Sequence, residues 1–163
     1  MRLRSISFLT PIIGLALLIG CGPDLEQQKN EAQQALSVGN FSQAREISSQ
    51  ALEQAPAADK RLRWALERIR LEALARENQG EQARETLERL AAEYPTQANA
   101  SLYLAIATYL KDAGDTSAAI DILVAGDARF PGESEKFKAL IREMEAGGLD
   151  PEEIERLRSL GYL

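Results

Sequence analysis

The chain has 163 residues, a length that corresponds to about one domain, and its 19 Lys and Arg against 25 Asp and Glu give a formal net charge of −6. It contains no His and a single Cys, Cys21, which excludes His-dependent catalysis, His metal ligands, an internal disulfide and multi-cysteine zinc sites. The acidic balance argues against nucleic-acid binding, which requires clustered Lys and Arg. Because Ala and Leu are abundant and Val is scarce, the composition favours an all-α fold.

The first twenty residues have the pattern of an export signal. A basic start with Arg2 and Arg4 precedes an apolar run at residues 8–19. A transmembrane helix needs about 20 apolar residues, and this run is shorter. A basic start followed by a short apolar run is typical of a secretory signal peptide. An ordinary cleavage site has small residues one and three positions before the cut, whereas Leu18 lies three positions before Cys21.

The sequence L-I-G-C at residues 18–21 resembles the lipobox of bacterial lipoproteins instead. In that family the Cys thiol receives a diacylglycerol and the peptide is cut just before it. The resemblance implies a signal peptide at 1–20, a tether at 21–24 and membrane attachment through acyl chains on Cys21. Gly22 stands where an Asp would resemble an inner-membrane retention signal, so the expected location is the outer membrane facing the periplasm of a diderm bacterium. The alternative is an uncleaved short anchor, or a chance Cys after an apolar run.

The remainder of the chain repeats a pattern of turn residues, alanine and proline. In three segments a turn containing Gly or Asn precedes an Ala, and a Pro follows twelve residues after that Ala. Gly and Asn end helices and Pro stops them, while the apolar residues between these stops have a helical period. The pattern predicts three units of helix, short turn and helix. The Ala and Pro pairs are Ala44 and Pro56, Ala83 and Pro95, and Ala119 and Pro131.

These units resemble the tetratricopeptide repeat (TPR), in which about 34 residues form two antiparallel helices. The resemblance implies a helical solenoid of three repeats over residues 25–131, and it places the three alanines where the two helices of a unit touch. Gly126 matches a second small site of that family. Leu71 and Leu90 are bulky where the second unit should be small, which predicts that this unit is looser or differently tilted, and its turn glycine is shifted to Gly80. The approximate repeats are 25–58, 59–96 and 97–132. The alternative is a generic helical bundle with coincidental prolines.

Residues 133–163 are predicted to be capping helices. A helix at 134–146 ends at a Gly-Gly pair, and Asp150 followed by Pro151 is a good helix start. A solenoid needs such an element to cover its last apolar face. Three residues of the last helix are expected to line one side, namely Ile154, Leu157 and Leu160. The Leu-Gly-Tyr ending resembles a tail found beside such repeats in some bacterial proteins.

The titratable residues do not form a recognisable catalytic or metal-binding pattern. Paired carboxylates, nucleophile–base sets and phosphate-binding loops do not rise above background, so we expect no enzyme, no cofactor and no metal. Trp64, the sole Trp, is expected to be a half-buried packing residue rather than a ligand-stacking one.

A protein-binding groove is the better interpretation of the repeats. In the solenoid that the resemblance implies, the first helices line a concave groove that holds a peptide or a partner helix. The predicted groove residues form a mildly basic strip, or alternatively are solvated positions of no special use. They are Lys29, Gln33, Arg68, Arg76, Thr108 and Lys111.

The predicted function is therefore a lipid-anchored adaptor on the periplasmic side, such as a scaffold or an assembly or pilot lipoprotein, with a protein partner in the envelope. The alternative is a structural component that self-associates and has no peptide ligand. The carboxylate-binding positions of eukaryotic TPR clamps hold Ile69, Ser101 and Ala105 here, which carry no charge. We therefore expect a partner with apolar anchors that does not depend on its C-terminal carboxylate.

Overall fold

The computed structural model describes residues 24–163, and within that range the chain is all-helical, with eight α-helices, one short 3-10 helix and no strand. The predicted signal peptide, Cys21 and most of the tether lie outside these residues. The helices are α1 (Leu25–Ser37), α2 (Phe41–Gln54), α3 (Lys60–Arg76), α4 (Gly80–Glu93), α5 (Ala100–Ala113), α6 (Thr116–Arg129), the 3-10 helix Pro131–Glu133, α7 (Ser134–Gly148) and α8 (Pro151–Ser159).

Short polar side chains start most of these helices. An N-cap side chain that accepts a hydrogen bond from a first-turn backbone N–H satisfies one of the donors a helix leaves free. Asp150 accepts from the Glu153 N–H at 2.9 Å and precedes Pro151, so the predicted start of α8 is confirmed. The other side chains that cap in this way are Asp24, Asp59, Asn99 and Asp115.

The predicted helix ends are also present. One residue with a positive φ lies between the two helices of each pair: Gly39 at 81°, Asn78 at 60° and Gly114 at 90°. Asn is among the few side-chain-bearing residues that adopt this conformation readily. The three prolines each lie two residues beyond the end of α2, α4 or α6, as the spacing predicted.

The helices pack in a regular order. Helices α1, α3, α5 and α7 contact one another in succession, and α4 contacts α6. Within the pairs, α1 packs on α2 and α5 on α6 extensively, whereas α3 contacts α4 less. The second pair was predicted to be looser or differently tilted because of Leu71 and Leu90. Its two helices do have the smaller contact, and both leucines are fully buried.

Several small residues are fully buried between the helices. Ala44, Ala83 and Ala119 have no exposed surface. A Cβ on Gly126 would collide with the ring of Phe137 on α7, so this position has to be small. The aromatic packing there continues through Phe130, whose ring lies 5.5 Å from that of Tyr103.

Gly80 does not act as a displaced turn glycine, because Asn78 adopts the left-handed conformation of that turn. Gly80 is instead the first residue of α4, and a Cβ on it would collide with the side chains of Asp115 and Ala118 at the start of α6. Its role is therefore close approach between two helices rather than a backbone turn.

The C-terminal residues differ in two details from the predicted cap. Helix α7 continues through both glycines to Gly148, where φ becomes +97° and the helix ends. Leu157 is fully buried, but Leu160 is 49% exposed. Leu160 is the C-cap residue that follows the last residue of α8, so it does not continue the buried face of the helix.

The Leu-Gly-Tyr ending packs back onto α6. Tyr162 and Leu163 are partly buried against the main core, and the Tyr162 hydroxyl donates to the Asp127 carboxylate at 2.8 Å. Arg156 of α8 is ion-paired with Asp121 of α6. The Tyr162 hydrogen bond and the Arg156 ion pair thus hold the tail and α8 against α6.

Candidate functional site

The predicted groove residues all lie on the odd-numbered helices, which we call the odd-helix row (α1, α3, α5 and α7). Helix α1 carries Lys29 and Gln33, α3 carries Arg68 and Arg76, and α5 carries Thr108 and Lys111. Because neighbouring helices of the row contact one another, grooves form between adjacent members.

A cleft of about 440 Å³ opens between α3 and α5, and we call it the α3–α5 cleft. Its volume lies within the range of about 300–1,000 Å³ that is usual for ligand sites. Helix α3 and helix α5 form its walls, and the segment before α5 closes one part of it. The lining residues are Trp64, Arg68, Gln97, Asn99, Ser101, Leu102 and Ala105.

The aromatic wall of this cleft is Trp64. Its ring lies 5.2 Å from that of Tyr94, and the two ring planes are inclined at 46°. Tyr94 is only 4% exposed, and Lys60 Nζ lies 5.8 Å from the centre of its ring. Trp64 is half-buried, as predicted, and it also presents part of its surface to the cleft.

Arg68 is the one charged residue that lines the α3–α5 cleft. It is exposed, and no carboxylate of residues 24–163 lies within 4 Å of its guanidinium. Asn99 caps α5 by accepting from the Leu102 N–H at 3.1 Å, which leaves its amide nitrogen available. The cleft thus combines an apolar wall, one cation and neutral amide groups.

The two residues predicted on α1 do not line this cleft. Lys29 is ion-paired with Glu26 one turn earlier on the same helix, which neutralises its charge locally. Gln33 is exposed at the surface of α1.

Arg76 serves packing between helices. Its Nε donates to Glu72 at 2.9 Å, and its guanidinium carbon lies 3.9 Å from the centre of the Tyr109 ring and 5.5 Å from that of Phe41. Cations over aromatic faces are attracted by the ring electrons. Arg76 therefore links α2, α3 and α5 and is not free to bind a ligand charge.

The residues predicted on α5 have partners as well. Thr108 donates through Oγ1 to the Leu104 carbonyl at 2.8 Å. Lys111 Nζ donates to Glu143 of α7 at 2.8 Å, and this hydrogen bond raises the pKa of Lys111. Lys111 lines a second opening of about 400 Å³ between α5 and α7, together with Thr116, Glu143, Met144, Gly147, Gly148 and Leu149.

The predicted basic strip is therefore not a single site. Three of its four cations are matched by carboxylates, and only Arg68 lines the α3–α5 cleft. The sequence interpretation missed this cleft, although two signals were present. Trp64 and Arg68 are four residues apart and so share one face of α3, and residues 94–110 carry no charge in a chain with 27% charged residues.

Two further observations bear on the class of site. Among residues 24–163 there is no group of three or more Cys, Asp or Glu side chains that could hold a metal ion. No helix in the described range is both long and apolar enough to cross a membrane. The lipidation predicted at Cys21 lies outside the described residues.

In comparisons with known proteins, no family model matches the chain, and neither a curated protein nor a solved structure is significantly similar to it.

Proposed function

We propose that this protein is a lipid-anchored adaptor of the cell envelope, which holds a segment of a protein partner on its odd-helix row. The observation that carries this proposal is the α3–α5 cleft. It offers the Trp64 ring for an apolar side chain, Arg68 for a charge, and Gln97 and Asn99 for a peptide backbone. Apolar area with a few placed polar groups is what a ligand site requires.

A TPR-like solenoid is part of this proposal. Its support is the succession of helix pairs, the left-handed residue between the members of each predicted pair, and the buried alanine early in each second helix. Helices α7 and α8 would together cover the last apolar face. The odd-helix row would then be the concave side of the solenoid, which is the side suited to a peptide or helix.

The lipid anchor of the proposal rests on the lipobox at residues 18–21. Two or more acyl chains hold a protein stably on a bilayer, since each buried CH₂ contributes about 0.8 kcal/mol. We therefore place the helical domain on the periplasmic side of the outer membrane.

The anchor is tested by Cys21→Ser. We expect an unprocessed, longer precursor that incorporates no labelled fatty acid, because the hydroxyl cannot replace the thiol in the lipid transfer. Mass spectrometry and fatty-acid labelling measure both. A variant that matures to the normal mass and stays on the membrane would refute the anchor and leave the groove proposal standing.

The adaptor role is tested by crosslinking from the cleft in native membranes. A photoreactive amino acid replaces Ser101, which lines the α3–α5 cleft, or Ser117, an exposed serine on α6 that serves as the matched control. We expect a discrete adduct with one other protein from position 101 and none from position 117. Equal labelling at both positions, or no adduct at either, would contradict a dedicated binding site on the odd-helix row.

A further inference from the structure

We infer that the α3–α5 cleft selects an acidic segment of its partner, in which an internal Asp or Glu pairs with Arg68 and a neighbouring apolar side chain packs on Trp64. This inference rests on the proposed adaptor function and specifies the chemistry of the partner. It concerns one cleft of the odd-helix row rather than the whole surface.

The first step is the exceptional position of Arg68 among the five arginines of α3. Arg63 donates to the carbonyls of Leu52 and Ala55, both at 3.0 Å, and so satisfies the end of α2. Three others have carboxylate partners, Arg70 at 3.2 Å, Arg76 at 2.9 Å and Arg61 at 4.0 Å. Within the described range Arg68 alone among the five has neither a hydrogen-bond acceptor nor a carboxylate within 4.0 Å, and it is the one that lines the cleft.

The second step is the electrostatic contrast with the rest of the chain. Residues 24–163 contain 25 acidic side chains and 17 basic ones, which is the whole chain without Arg2 and Arg4, so their net charge is −8. In an acidic molecule, an unmatched cation is a position where the electrostatic energy of a ligand carboxylate is locally lowest. Guanidinium and carboxylate groups form paired, charge-assisted hydrogen bonds that are stronger than neutral ones.

The third step is the surface next to this cation. Trp64 lies one helical turn before Arg68, and Leu102 and Ala105 face it from α5. A ligand side chain held on these groups would be apolar, and it would have to lie within a few residues of the carboxylate. The amides of Gln97 and Asn99 are suited to the peptide groups of an extended segment.

Two other sources of negative charge fit less well. An anionic bilayer would be repelled by a net charge of −8, and Trp64 packs on Tyr94 inside a cleft instead of protruding to enter lipid. A chain terminus fits less well, because the clamp positions that line this cleft are Ser101 and Ala105, which carry no charge. The carboxylate is therefore that of a side chain within the partner segment.

The test uses Trp64 as its own reporter, because it is the only Trp of the chain. The probes are two panels of acetylated, amidated peptides without Trp, in which one Leu or Phe and one Asp are separated by varied spacings. The second panel has Asn in place of each Asp. Binding to the full chain, purified in a non-ionic detergent, is followed by the fluorescence of Trp64.

The variants change charge at matched positions of one helix. Arg68→Gln removes the cleft cation, Arg68→Lys retains a charge, and Arg61→Gln is the control, since Arg61 is 91% exposed and outside the cleft. We expect the best Asp peptide to lose about tenfold or more in affinity on Asp to Asn exchange and on Arg68→Gln, and to be unaffected by Arg61→Gln. Added salt should weaken the Asp peptides selectively.

Several outcomes would overturn the inference, and they are distinguishable from failure of the adaptor function. Peptides that bind equally with Asp or Asn, and equally to Arg68→Gln, would leave a groove that binds proteins without selecting charge. Binding of the same peptides only when they are made with a free C-terminal carboxylate, or a fluorescence change with vesicles of anionic lipid but not with peptides, would assign the cation to another ligand. Absence of binding by every peptide would overturn the acidic-segment inference, while the crosslink from position 101 tests the adaptor function independently.

Discussion

At the scale of single residues, size and charge at buried positions determine how the helices fit together. The alanines early in α2, α4 and α6 are fully buried, and Gly126 leaves space for the Phe137 ring. Protein interiors are packed as densely as crystals of small organic molecules, so an added side chain at such a site has no free volume to occupy.

Ala119 provides the first prediction at this scale. Ala119→Leu should lower the free energy of unfolding by about 1–3 kcal/mol, because the site is overpacked. Ser117 lies two residues earlier on α6 and is exposed, so Ser117→Leu should change stability by no more than about 0.5 kcal/mol. Urea denaturation measures both variants, and equal effects at the two positions would be inconsistent with the register described for α6.

Glu67 provides the second, since it is the most buried acidic side chain of the described residues. It is 5% exposed and is paired with Arg89 at 2.7 Å and Arg70 at 3.2 Å. Removing one partner of a buried ion pair leaves the other charge without compensation. Glu67→Ala should cost about 2–3 kcal/mol in urea denaturation, less than for a fully buried pair because both arginines are partly exposed. If Glu67→Ala changed the free energy of unfolding by less than about 0.5 kcal/mol, these ion pairs would make no net contribution to stability.

At the scale of helices, glycine has two different roles that the sequence does not separate. Gly39 and Gly114 occupy left-handed turns, whereas Gly80 allows α4 to approach the start of α6. Gly147 has neither role, since it is helical, exposed and has nothing within 4 Å of a virtual Cβ.

Gly80→Ala and Gly147→Ala should consequently have opposite effects on stability. The first should lower the free energy of unfolding by about 1–3 kcal/mol, because the new methyl collides with Asp115 and Ala118. The second should raise it by about 0.5–1 kcal/mol, since Ala is a better helix former than Gly. Thermal unfolding of the two variants decides this, and a neutral Gly80→Ala would mean that α4 and α6 are farther apart than described.

The C-terminal tail is held to α6 by a hydrogen bond that responds to alkaline pH. Burial and the hydrogen bond to Asp127 raise the pKa of Tyr162 from its usual 10.0 to about 12. Because the unfolded chain ionises at the lower pH, the stabilisation is complete below about pH 10 and is lost as the pH rises toward 12.

Tyr162→Phe should therefore cost about 1 kcal/mol at neutral pH, since it removes this hydrogen bond. The stability difference between the wild type and the variant should shrink between about pH 10 and about pH 12. Urea denaturation at several pH values measures it, and a difference that does not depend on pH would argue against a docked tail.

At the scale of the whole molecule, the described residues expose few large apolar side chains. Among large apolar side chains of the described residues, only Val38 and Leu160 are exposed, at 73% and 49%. They lie at opposite ends of the array, one after α1 and one after α8, so they do not form a contiguous apolar patch. Isolated exposed apolar residues are common on monomers.

We therefore predict that residues 24–163 sediment as a monomer over a wide concentration range. A concentration-dependent dimer would instead favour a self-associating structural component. If Val38→Glu or Leu160→Glu dissolved that dimer, the corresponding end of the array would be identified as the interface.

Helix content and helix ends followed from local sequence alone. A left-handed φ favours Gly or Asn, a proline two residues past a helix prevents its continuation, and an Asp before Pro151 caps a first turn. Each of these effects depends on a residue and its immediate neighbours, so it is present in the sequence before any packing occurs.

The composition of the α3–α5 cleft depended on packing instead. Arg68, Arg76 and Lys111 are equivalent as surface cations in the sequence, yet Tyr109 of α5 and Glu143 of α7 engage two of them from neighbouring helices, and Arg68 is left in the cleft. Local periodicity places a side chain on a face of its own helix, but it does not predict how α3 and α5 are shifted relative to each other when they pack. That offset, set by the packing of buried side chains between the two helices, decides which residues meet and which cation remains available to a partner.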